Sequence, residues 1–257
     1  MNKYLTLLAT ATLCIGLAPA FAQLGPAPGS SGFDSAMRKL LGDNAAFSAT
    51  LETQIKPKTD DLVTMPGKIA YDSGKARMEM NLSAATGLKM PPGAATQMKS
   101  MGLDQMITIS IPGKKSMLLI YPGMQSYVDN PLPEGAAATN QDFKITTTEL
   151  GKETVSGHPC VENKVVVTDA KGATNEFTVW NATDLKNFPV KIFRPGPEAD
   201  VTMLLTEVTL AKPAANLFEA PAGYTRYDNM QTMMQTEMMK KMGGGMGLPP
   251  GGMPPAR

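Results

Sequence analysis

The chain has little of what catalytic and covalently braced proteins rely on. Its 257 residues hold one histidine, two cysteines and one tryptophan. Cys14 lies in the apolar N-terminal run MNKYLTLLATATLCIGLAPAFA, so beyond that run only Cys160 and His158 remain. A disulfide within the chain needs two thiols, and a His/Cys zinc site needs three or four ligands. Neither can be assembled from this pair. A single imidazole also removes the usual base or ligand of most hydrolytic and metal chemistry. No G-x-S-x-G, phosphate loop, H-E-x-x-H or dinucleotide fingerprint is present. Neither sign of charge is in excess, with 24 Lys+Arg against 23 Asp+Glu. That balance argues against nucleic acid, which demands a basic surface, and against any partner held by bulk charge.

Long apolar runs are missing after the N-terminus. Within it, Lys3 supplies a positive n-region, Tyr4 to Leu17 an apolar core, and Ala20-Phe21-Ala22 a small-x-small cleavage site. The core is shorter than the ~20 residues of a spanning helix. This predicts a signal peptide over 1–22, cleaved after Ala22, and a periplasmic protein of about 235 residues, with secretion as the alternative. Cys14 follows Leu13 inside the apolar core, which speaks against lipidation. Residues 23–32 (QLGPAPGSSG) read as a flexible leader, 33–227 as one domain, 228–242 as a Met-rich helix, and 243–257 as a disordered Gly/Pro/Met tail.

What the chain does have is alternation. Val201, Met203 and Leu205 alternate with Thr202 and Thr206; Met78, Met80 and Leu82 alternate with Arg77, Glu79 and Asn81. Side chains of a strand point to opposite faces in turn, so a period of two marks a sheet. Strands are predicted over 44–56, 68–71, 76–83, 105–111, 116–121, 125–129, 143–149, 161–168, 175–181, 188–194 and 200–210. Asp72-Ser73-Gly74, Asp169 to Gly172 and Pro195 to Glu198 read as hairpin connections. Helices are expected over 33–41, over 91–100 as an excursion on the sheet, and as a single turn near Thr183. The fold class is mainly β with flanking helices, about ten antiparallel strands in one domain.

The order FSATLETQI, GKARMEMNL, SMLLIYPGMQSYVD, a G-x-x-C turn, VWNATDLKNFPVKI and LFEAPAGY resembles the periplasmic lipoprotein carrier family (LolA-like) and exported domain families of that fold. The resemblance spans roughly Phe33 to Tyr227. It implies an open half-barrel whose concave face is covered by short helices and holds acyl chains. It also implies that an arginine near the start of an early strand helps to close the lid, and Arg77 is the matching position. The family lines its cavity with many aromatics, and this chain departs in having Trp180 alone.

Each chemical constellation has a plainer reading beside it. His158 and Cys160 lie two apart around Pro159; a nucleophile pair is conceivable, but a lone cysteine after a turn reads as a small buried hydrophobe. Asp60-Asp61 and Glu149/Glu153 lack calcium-loop spacing and read as solvated carboxylates. Met230, Met234, Met238 and Met242 recur at i+4, a helical stripe. Thioethers suit Cu(I), and Met is equally the adaptable filler of apolar faces. Met78, Met80, Leu82, Ile107, Ile109, Leu118, Ile120 and Trp180 are the candidates for lining an apolar cavity. The prediction is a non-enzymatic exported protein that needs no cofactor and holds a lipid or lipoprotein acyl chain, with an envelope protein as a further possible partner. Its alternatives are an interaction module with a fully packed concave face, and copper binding through the Met-rich segment.

Overall fold

The structure, a computed structural model, describes residues 39–41, 44–132, 143–170 and 172–243. The expected signal peptide, the leader, most of the first helix and the Gly/Pro/Met tail lie outside them. Twelve strands are formed among the described residues. These are β1 (Ala46–Pro57), β2 (Val63–Asp72), β3 (Lys75–Asn81), β4 (Gln105–Ile111), β5 (Ser116–Tyr121) and β6 (Ser126–Pro131). They continue with β7 (Lys144–Val155), β8 (His158–Thr168), β9 (Thr174–Ala182), β10 (Phe188–Arg194), β11 (Ala199–Thr209) and β12 (Thr225–Tyr227). They make one sheet in the order β12-β6-β5-β4-β3-β2-β1-β11-β10-β9-β8-β7. Neighbours are antiparallel except β12, which adds to β6 in parallel.

Two meanders meet at the β1–β11 seam, so the chain must pass from β6 near one flank to β7 at the other. The sheet is an open half-barrel: among the described residues β7 and β12 do not pair with each other.

Short turns repeat one device. Pro112–Lys114, Pro122–Met124 and Thr183–Leu185 are 3-10 turns, each followed by a residue at positive φ: Lys115, Gln125 and Lys186. A helix, α1 (Ala94–Met101), crosses between β3 and β4 and ends on Gly102 at φ 75°. A Cβ at Gly102 would lie 2.4 Å from the Gly123 carbonyl carbon, so paired glycines let α1 sit on the β5–β6 turn. The C-terminal helix α2 (Met230–Gly243) starts where the Asn229 side chain accepts a hydrogen bond from the Thr232 amide at 2.8 Å.

Several expected boundaries are corrected. β2 begins at Val63, not at 68: Pro66 and Gly67 hid its first half. Gly67 is required there, because a Cβ would lie 2.2 Å from the Glu79 carbonyl oxygen. Leu82 is not in a strand. Asn81 ends β3 by accepting hydrogen bonds from Ser83 and the Ala84 amide, and Leu82 opens a 3-10 turn. β7 runs on to Val155 through a bulge between Glu149 and Gly151. β12 is too short to show a period.

Candidate functional site: the concave face and its helix

Register puts one set of side chains on the concave face. Phe47 stands opposite Tyr71, Ala49 opposite Ile69, Ile69 opposite Met78, and Met80 opposite Met106. Across the seam Leu51 faces Leu205 and Thr53 faces Met203; farther on, Val179 faces Ile192 and Val165 faces Phe177. All of these but Thr53 and the half-buried Tyr71 belong to one buried cluster, with Leu40, Leu41 and Met233 closing it from above. Phe47 is its hub, packed edge-on against Phe188 at 4.8 Å and tilted against Tyr71 at 5.8 Å. Methionine is prominent: Met78, Met80, Met106, Met203 and Met233 are all buried here. Unbranched thioethers repack around irregular shapes more readily than branched aliphatics do.

Helix α2 covers this face near β6 and β12. Met233 is fully buried, and Met230 and Met234 pack against the same cluster. The next inward position is Glu237, which is 6% exposed. Its Oε1 accepts hydrogen bonds from the Tyr227 hydroxyl at 2.6 Å, Lys240 Nζ at 2.8 Å and the Ser126 hydroxyl at 3.1 Å. Burial works against the charge, but these three donors together outweigh it and hold the carboxyl below its ordinary range. At the helix end Lys241 donates to the Ser100 carbonyl at 3.0 Å, tying α2 to α1. The apolar stripe is thus interrupted by one carboxylate that clasps the helix to β6 and β12. A glutamate four residues after Met233, on the face that carries Met230 and Met234, was the sequence signal for it.

The expected lining residues divide between two faces. Met78 and Met80 belong to the concave cluster. Ile107, Ile109, Leu118 and Ile120 belong to a second cluster on the opposite face, closed by Phe218 and packed by Leu217 and Tyr224. A single cavity lined by all six is therefore ruled out by strand alternation. Leu82 is half-buried in its turn. Trp180 is buried beneath Lys191, whose ammonium lies 3.8 Å from the ring centroid, and its indole nitrogen has no hydrogen-bond partner.

Arg77, the residue matched to lid closing, lies on the second face, opposite Ala70. Its Nε donates to Glu79 at 2.7 Å and its guanidinium to the Leu217 carbonyl at 3.0 Å. It pins the 3-10 turn Ala215–Phe218 over the convex cluster, on the side opposite Met78 and Met80. Two clefts of about 370 and 400 Å³ flank that region, sharing Lys68 and Glu79.

His158 and Cys160 do not address each other. The imidazole Nδ1 lies 2.9 Å from Asp184, whereas the thiol donates to the His158 backbone carbonyl at 3.3 Å. Burial pushes the Cys160 thiol up, away from a reactive thiolate. Of the methionine stripe, Met230 and Met234 are half-buried and Met238 is exposed; Met242 has no described side chain. Among the described residues no group of three or more His, Cys, Asp or Glu gathers to hold a metal ion. Among them, too, no helix is long and apolar enough to cross a membrane.

No protein-family model matches the chain, and no curated protein matches it in sequence. Solved structures align with it over most of its length at low identity. A LolA superfamily protein from Nitrosomonas europaea is 6% identical, with 74% of this chain and 97% of that one covered at a TM-score of 0.38. Mycobacterium tuberculosis lipoprotein LppX is 10% identical, covering 68% of this chain and 93% of its own, also at 0.38. LprF from Mycobacterium bovis is 13% identical, with coverage of 74% and 99% and a TM-score of 0.34.

Proposed function

We propose that this is an exported, non-enzymatic binding protein that holds an acyl chain against the concave face, in place of the side chains α2 now sets there. The observation that carries this reading is the nature of the cover. The concave face is apolar and rich in methionine, and the helix over it grips by three methionines and one polar clasp. Burying a methionine side chain is worth up to about 3 kcal/mol, so one fully and two half-buried methionines hold roughly 6 kcal/mol. An acyl chain gains about 0.8 kcal/mol per buried methylene. Some eight methylenes would match the helix's apolar grip, and a longer chain would displace it. The signal peptide read in the sequence supports a periplasmic setting.

The test is native mass spectrometry, with lipid extraction, of the mature protein purified from its own envelope. A stoichiometric adduct of acyl-chain mass is expected, and it should increase when residues 230–257 are deleted. A clean apo mass in both forms, unchanged by added phospholipid, would sink the reading and favour the packed interaction module.

A further inference from the structure

The two flanks of the sheet are finished differently. At one, β6 is covered by the three-residue β12. At the other, β7 is twelve residues long and pairs with β8 alone among the described residues. An unpaired strand edge offers a row of backbone donors and acceptors, which proteins usually blunt with proline, a bulge or inward charge. From Lys144 to Leu150 the sequence KITTTEL has no proline, and the bulge comes only after Glu149. All seven side chains are exposed, with Ile145 at 43% and Leu150 at 54%.

We infer that β7 pairs antiparallel with β7 of a second copy across a two-fold axis centred on Thr147. The argument for a second copy over a foreign strand is self-complementarity. The residues on either side of Thr147 are the same, Thr146 and Thr148. In this register Thr147 meets its own counterpart and Thr146 meets Thr148 of the second copy, twice. Thr–Thr pairs are favourable across antiparallel strands. Ile145 lies against Glu149 and Lys144 against Leu150 of the second copy, so no like charges stand opposite. A shift that centres the axis on Thr148 brings Lys144 toward Lys152 and loses that property. A two-fold contact of this kind closes on itself and adds no further free edge. The pairing stands independently of the lipid reading, because β7 lies at the flank of the sheet farthest in strand order from the strands that α2 contacts.

Sedimentation velocity of the mature chain is expected to show a reversible dimer. Thr147→Lys and Thr147→Glu should each weaken it, about fivefold from one like-charged central pair, and an equimolar mixture of the two should dimerise again. Thr147→Cys should form a disulfide-linked dimer on mild oxidation, since opposed strand residues lie within disulfide reach. Thr154→Cys, beyond the bulge, should not. A wild type that stays monomeric to millimolar concentration overturns the inference. So does a dimer indifferent to both charges, or a mixture no stronger than its components.

Discussion

Glu237 stands out among the side chains because it is a buried carboxylate whose role is mechanical. With its folded pKa below the unfolded one, the clasp adds stability that is fully present above the ordinary glutamate range. That contribution is lost as the pH falls through the folded value. The protection of α2 amides against hydrogen exchange, relative to the intrinsic rate at each pH, should therefore be high near neutrality and fall below about pH 4.5, the ordinary value for the group. Glu237→Gln keeps the shape but removes charge-assisted bonds. It should weaken α2 docking by about 2 kcal/mol and flatten this acid dependence. Protection that falls with acid equally in both proteins would remove Glu237 from the mechanism. Gly102 makes a second residue-scale prediction. Gly102→Ala puts a side chain at φ 75° and against Gly123, which should cost at least about 1 kcal/mol from conformation alone. Equilibrium urea denaturation measures the cost, and an unchanged midpoint would show that the α1 contact is loose.

At the scale of elements, the faces of β4 and β5 do different work from those of β3. Ile109 and Ile120 are fully buried under the Ala215–Phe218 turn. Ile109→Glu would bury an unpaired charge there, and the group can only protonate or expel its strand. The variant is expected to lose its cooperative thermal transition without any selective effect on ligand uptake. Met80→Glu on the concave face should instead reduce acyl-chain binding, with a smaller change in melting temperature, because α2 can lift away. If the two substitutions behave alike in melting and lipid adduct mass, the face assignment fails. The hydrogen bond from Arg77 to Leu217 belongs to the same reasoning. Removing Arg77 should loosen the convex cover and leave α2 protection unchanged.

For the whole molecule, topology couples these parts. Because β1 pairs with both β2 and β11, the two meanders share one seam, and Phe47 packs across it with Tyr71 and Phe188. The protein should therefore unfold as one unit while α2 opens separately, a sub-global step of lower free energy. Exchange protection should fall into two classes, α2 and the sheet. A single class would mean that the helix is part of the core and not a movable cover.

Most strands, the hairpin turns and the C-terminal helix, expected over 228–242 and found at Met230–Gly243, were legible because each is a local pattern. Alternation of apolar and polar residues sets the strand, Gly and Pro punctuate it, and recurrence at three and four sets the helix. The alternation of Met78 and Met80 in β3 and the span of β10 are of this kind. Which face became concave was not legible. Ile109 and Met80 are equally apolar and equally periodic, and only the pairing of β3 with β4 and the path of residues 213–224 set them on opposite sides. Arg77 carried only the lid role that the resemblance implied, and Glu237 carried none, for the same reason. Their partners, Leu217 for one and Ser126 for the other, stand more than a hundred residues away in the chain. Local periodicity specifies an element, but a side chain's role depends on what the fold brings against it.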